Sequence, residues 1–103
     1  MKHYHKLVRD LIPDIIAKSG KTCKTDIVNN DIAFQLLVEK LDEEVSEFKA
    51  DLNLEELADV LEVLIALAQK MNYTEADLFN KRNEKKATRG GFEKNIVLYE
   101  VSE

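Results

Sequence analysis

Between Gly20 and Gly90 nothing in the sequence forces a turn: these two, with Gly91 and Pro13, are the only glycine or proline residues in the 103-residue chain. Because Gly and Pro cost a helix interior about 1 and 3 kcal/mol respectively, a stretch that avoids both is most readily built from long helices. The length fits one domain, taken as residues 1–103, with no room for a second. Hydrophobic residues make up 45% and charged residues 34%. The chain is thus too apolar for disorder, and too charged for a membrane protein.

The remaining composition narrows the function classes. A formal charge of -5 provides no diffuse field to gather DNA or RNA phosphates, so a nucleic-acid polymer is not an expected partner. Phosphate ligands stay possible, because carboxylates hold divalent cations that in turn hold phosphate oxygens. Cys23 is the single cysteine, which excludes an intramolecular disulfide and a thiolate zinc site, and it reads as a small core residue rather than a nucleophile. With no secretion signal in MKHYHKLVRD and no membrane-spanning run, the expected location is the cytoplasm. His3 and His5 have strand-like spacing but are poor evidence for a metal site.

Along the chain, LIPDIIAKSG reads as a short helix with Pro13 in its first turn and Gly20 at its end. From Asp31 as N-cap, Phe34, Val38, Leu41, Val45, Phe48 and Leu52 recur at steps of four and three and define the seam of a long helix. Asn53 caps a second helix that is apolar nearly all round, the pattern of a buried one. Thr74 to Asp77 resembles a capping box, leading into a third long helix over Leu78 to Thr88 that ends before Gly90 and Gly91. Cys23 to Val28 and the carboxy-terminal NIVLYEV alternate weakly and are expected to pair as strands. The fold class is mainly α: an antiparallel helical bundle with a central acidic hairpin and a small terminal two-stranded β ribbon.

The acids within that hairpin carry the chemistry. Glu44 and Glu47 lie three apart on one helix, on a stripe with Lys40 and Asp51 beside the apolar seam, while Glu56 and Asp59 lie three apart on the next. In an antiparallel hairpin, residues whose numbers add to the same total lie level, which sets Glu44 opposite Asp59 and Glu47 opposite Glu56. The two levels are separated by about 4.5 Å at ~1.5 Å of rise per residue. Buried ionised carboxylates cost several kcal/mol each without partners, so something cationic should offset them. All-oxygen donors on rigid helices suit Mg²⁺ or Mn²⁺. Glu43, Asp51 and Glu55 read instead as a solvated face.

On the third long helix Lys81, Arg82, Lys85, Lys86 and Arg89 are spaced by threes and fours. Such residues complement the dipole near a helix end, and Lys85 and Arg89 are the better phosphate contacts. The Gly90–Gly91 pair is as readily a C-cap as a ligand loop. Near the amino terminus, Arg9 and Asp10 can pair with each other or with the bundle in a structural salt bridge. Tyr73, Phe79 and Phe92 can stack on a base or pack the core, the latter being the expected role.

These motifs, in this order, resemble the all-α nucleoside triphosphate pyrophosphohydrolase superfamily, in its MazG-like and phosphoribosyl-ATP pyrophosphohydrolase-like branch. KLVRDLIPDII looks like the amino-terminal signature, KLDEEVSEF contains an ExxE as Glu44 and Glu47, and EELADVLEVL an ExxD as Glu56 and Asp59. NEKKATRGGF looks like the basic closing motif, carried by Asn83, Lys85 and Arg89. One departure is that only eight residues, 48–55, separate the acidic pairs, fewer than is usual in the broader superfamily. The resemblance implies Mg²⁺-dependent cleavage of a nucleotide between its α and β phosphates. On it, Glu44, Glu47, Glu56 and Asp59 hold the metal, and Lys85, Arg89 and Asn83 bind the substrate.

The same resemblance implies a homodimer or homotetramer, which the all-round apolarity of the second helix supports independently. Two other functions fit the residues: phosphoribosyl-ATP hydrolysis in histidine biosynthesis, and a non-catalytic oligomerisation module with a cation-stabilised acidic interface. Lys85 and Arg89 argue against the latter, since a purely structural acid cluster does not require them. Whether Arg9, Asp10, Glu43 and Glu62 join the site is left open by the sequence.

Overall fold

The computed structural model describes residues 4–103, so His3 lies outside the described residues. Four helices follow one another among them: α1 (Ile12–Lys18), α2 (Asn30–Ala50), α3 (Leu54–Lys70) and α4 (Glu75–Arg89). Their ends are chemically specified. Pro13 sits in the first turn of α1. Beyond its last turn Gly20 takes a φ of 85°, letting Lys21 N–H reach the Ile16 carbonyl at 3.3 Å and Gly20 N–H the Ala17 carbonyl at 3.1 Å.

The α2 cap differs from the expected one. The Asn29 side chain accepts the Ile32 N–H, and Asp31 falls inside the first turn, where its charge still favours the helix dipole. Asn53 caps α3 as expected, accepting the Glu56 N–H at 2.9 Å. Thr74 and Asp77 form the full capping box of α4, which begins three residues before Leu78. Between α3 and α4, Asn72 adopts a positive φ of 69° and does what glycine does after α1, with Tyr73 N–H bonding the Ala68 carbonyl at 2.9 Å.

α2 packs mainly on α3, and α3 less extensively on α4. The first pair is an antiparallel hairpin: Lys70 at the end of α3 donates to Asn30 at the start of α2 at 3.1 Å, while Glu44 meets the first turns of α3. The core comprises Ala33 and Leu37 of α2 with Val63, Ile65 and Ala68 of α3, Val63 sharing a cavity wall with Leu37. The seam is therefore rotated from the expected one. Ala33, Leu37, Lys40 and Glu44 face inward, Phe34, Leu41, Val45 and Phe48 are half-buried flanks, and Val38 and Leu52 point outward. Small Ala33 on the inward stripe permits closer approach of α3 than a large side chain there would.

Three further expectations are corrected by the structure. No strand occurs among the described residues: 23–28 and 95–101 have no regular structure, so the terminal ribbon is absent, and His5 sits on no strand. A ladder needs a facing partner, and within one chain these segments have none, leaving Ile27 97% exposed. Cys23 is exposed rather than in the core, as are Tyr73 and Phe92. Third, the buried pattern of α3 is met only in part within one chain, as the expected assembly requires: α2 and α4 pack on it, yet Leu57, Leu61 and Leu64 remain exposed.

The chain spans 61 × 31 × 24 Å with a radius of gyration of 18.0 Å, against about 13 Å for a compact chain of this length. With so thin a core, the inward residues carry unusual weight. Leu37→Ala should lower unfolding stability by about 2–3 kcal/mol, the lower part of the range for buried leucines, and Asn53→Ala by about 1 kcal/mol. Urea titration followed by helical circular dichroism checks both.

Candidate metal centre

Glu44 reaches the hairpin interior because it stands two turns beyond Leu37 on the inward stripe of α2, and only 7% of it remains exposed. Opposite, the cap at Asn53 starts α3 at a point that sets Glu56 in its first turn and Asp59 one turn later. One carboxylate oxygen from each of Glu44, Glu56 and Asp59 lies within 4.8 Å of the others. Glu44 Oε2 and Glu56 Oε2 are both buried without a hydrogen-bond partner. The matched register thus brings three of the four expected acids together. Glu47 sits beside Glu44, close enough to act on its carboxyl, but is more exposed and outside that triad.

Electrostatics follow from this crowding. Burial, then the hydrogen bond and like charge of Glu47, push the Glu44 carboxyl above its usual range, with Lys40 only partly opposing them. Removal from water and the charges of Asp59, Asp51 and Glu44 raise Glu56 in the same direction. The cationic offset that the sequence demands comes partly from Lys40, whose side chain is 15% exposed and lies 3.5 Å from both Glu43 and Glu44. Glu43 moves the opposite way. A hydrogen bond from Lys6 at 3.1 Å, with help from Lys40, holds its carboxyl below the usual range.

The amino-terminal segment is a strap laid across the hairpin. Lys6 binds Glu43 on α2, and Arg9 Nη2 donates to Asp59 Oδ1 on α3 at 2.7 Å. Of the two pairings left open, Arg9 takes the one to the bundle. Asp10 and Glu62 line a cavity of about 300 Å³ that also borders Arg9, Lys40, Glu44 and Asp59. Asn83, Lys85 and Arg89 lie on the exposed surface of α4. Among the described residues no side-chain bond joins them to the acids; the bonds of α4 side chains link Lys81 to Glu84, Lys86 to Glu93 and Thr88 to backbone carbonyls of its own helix, besides the cap. Gly90 acts as the C-cap, with φ 82° and ψ 177°, a conformation open essentially to glycine alone.

Lys40 and the strap cations are the site residues that sequence reasoning did not assign. Spacing had set Lys40 on the stripe of Glu44 without giving it the role of counter-charge; no periodicity connects Arg9 to Asp59, fifty positions away. Chemically, the cluster offers oxygen donors only, with two oxygens lacking partners, which fits a hard divalent cation such as Mg²⁺ or Mn²⁺. Comparison with protein-family models, curated proteins and solved structures returned no match.

The raised Glu44 carboxyl has a stability consequence. It binds its proton more tightly folded than unfolded, so its ionisation removes stability as pH rises from the ordinary carboxyl range through the raised one. Glu44→Gln should therefore raise the melting temperature of metal-free protein at pH 7, an advantage that shrinks as pH falls through that interval. Differential scanning calorimetry of both proteins across pH 4–8 reads the difference directly.

Proposed function

We propose that this chain is a Mg²⁺-dependent nucleotide pyrophosphohydrolase that cleaves between the α and β phosphates, releasing a nucleoside monophosphate and pyrophosphate. House-cleaning of non-standard nucleotides is the favoured role. The observation that carries this reading is Glu44: a carboxylate more than nine-tenths buried, with an unpartnered oxygen, facing Glu56 and Asp59 across the hairpin. A marginally stable domain has no structural reason to gather three acids there. The ExxE and ExxD motifs with the basic NEKKATRGGF segment add the resemblance described above.

In this mechanism Glu44, Glu56 and Asp59 hold the metal, with Glu47 positioned to join as a fourth ligand or to orient a water through Glu44. The ion, when bound, supplies Lewis-acid activation of a water and of phosphate oxygens. Rigid α2 and α3 keep the carboxylates in place before ligand arrives, so little reorganisation is needed during the reaction. Lys85, Arg89 and Asn83, exposed on α4, would bind the phosphate tail.

A homodimer or homotetramer is part of the proposal. Support comes from the extended dimensions, from outward Leu57, Leu61 and Leu64, and from an α4 without a single buried residue. Light scattering should give two or four times 11.8 kDa, and Leu61→Glu should shift the population to monomer. A wild-type mass of one chain would contradict this assembly.

Activity is tested by measuring pyrophosphate release over a nucleotide panel that includes phosphoribosyl-ATP, with and without Mg²⁺. Glu56→Gln and Asp59→Asn should each lower kcat by about a hundredfold, in the range for loss of a metal ligand or its support. Metal-independent turnover, or full activity in both variants, would exclude the metal mechanism. Mg²⁺-dependent melting without turnover of any nucleotide would favour the oligomerisation module instead.

A further inference from the structure

Arg9 is paired with Asp59, a member of the triad that, on the proposed reading, receives a metal ion. Its guanidinium donates to Asp59 Oδ1 at 2.7 Å, the shortest ion pair among the described residues. A divalent cation on Asp59 repels the neighbouring guanidinium and draws on the same carboxylate charge, so loading the site weakens the hold of Asp59 on Arg9.

The strap is built for such a release. It is tied at two points: the Lys6 side chain is bonded to Glu43 at 3.1 Å, and the backbone carbonyl of Arg9 accepts Ile12 N–H at 3.1 Å. The side chain between these anchors is half exposed and borders the cavity of about 300 Å³ beside the acids. Lys40 and Lys70 also line that cavity, so its walls combine cations with the metal-facing carboxylates Glu44 and Asp59. Asp10 and Glu62 line it too, so Arg9, Lys40 and Lys70 are the cations that a polyphosphate chelated to a metal at the triad would meet there. The planar fork of arginine matches phosphate oxygens better than it matches one oxygen of Asp59.

We infer that Arg9 is a charge-exchange residue of the site, neutralising Asp59 when no cation is bound and transferring to a phosphate oxygen of the metal-chelated ligand when one is. Arg9 is thereby a phosphate-binding residue supplied in cis, independent of Lys85 and Arg89 on α4. The inference rests on the metal reading above and adds to it the identity of a ligand contact. No covalent step is involved: one ion pair, Arg9 with Asp59, is replaced by two, metal with Asp59 and Arg9 with phosphate.

The test uses the full chain, with Mn²⁺ alone followed by electron paramagnetic resonance and inorganic pyrophosphate at saturating Mg²⁺ followed by calorimetry. Arg9→Ala and Arg9→Gln should bind Mn²⁺ severalfold more tightly, because a competing cation is gone, yet bind pyrophosphate about tenfold more weakly, the loss of one charge-assisted contact. Arg9→Lys should recover part of the pyrophosphate affinity. Lys81→Ala, which removes an α4 cation paired with Glu84 of its own helix, should match wild type in both arms.

Unchanged or weaker Mn²⁺ binding in both Arg9 variants, or unchanged pyrophosphate affinity, overturns the exchange while leaving the metal site standing. Absence of Mn²⁺ binding in wild type and in both variants overturns the metal reading as well. Circular dichroism confirms that the variants are folded; an exposed pair of this kind contributes little to stability, so both should be.

Discussion

The close packing of α2 on α3 is the constraint from which the rest of the structure follows. Ala33 and Leu37 on one side and Val63 on the other are buried where the helices meet, and the same inward stripe of α2 continues into Lys40 and Glu44. An acid at the end of an apolar seam is carried into the interior by its neighbours' burial, whatever its own preference for water. The price is visible in Glu44 and Glu56, whose carboxyls hold their protons more tightly than solvated ones. Lys40 offsets part of this at Glu44 from within the seam, while the strap cations Lys6 and Arg9 pair with the neighbouring Glu43 and Asp59.

The strap itself shows how a segment without regular structure acquires a definite place. Residues 4–9 make no helix and no strand, yet Lys6 and Arg9 tie them to both arms of the hairpin through Glu43 and Asp59. Exposed pairs of this kind contribute little stability individually, so their arrangement is more informative about charge balance around the acids than about folding. A hairpin dense in carboxylates draws its nearest cations from wherever the chain can supply them.

An isolated chain leaves much apolar surface uncovered. The outward leucines of α3, the unpaired segments at 23–28 and 95–101, and Phe92 at 98% exposure all lack a partner within one copy. The alternation in NIVLYEV and the apolar encirclement of α3 are sequence properties that anticipate covering surfaces. Which molecule provides those surfaces is a separate matter, and the proposed assembly gives both features a common physical cause.

The helices and most of their ends were legible in the sequence because they depend on local chemistry: Pro13 and Gly20 around α1, Asn53 before α3, Thr74 with Asp77 before α4 and Gly90 after it. The acid triad was legible too, since helical periodicity and a tight antiparallel turn together place Glu44 near Glu56 and Asp59. Rotation of the seam, and with it the burial of Lys40 and the outward turn of Val38, depended on how closely two particular surfaces can approach, which periodicity leaves undetermined to within one position. Contacts between distant segments, above all Arg9 with Asp59, and the absence of a ribbon were decided only by tertiary structure. Charge pairing and strand pairing are non-local: each residue carries the capacity to pair, but the folded path of the whole chain selects the partner.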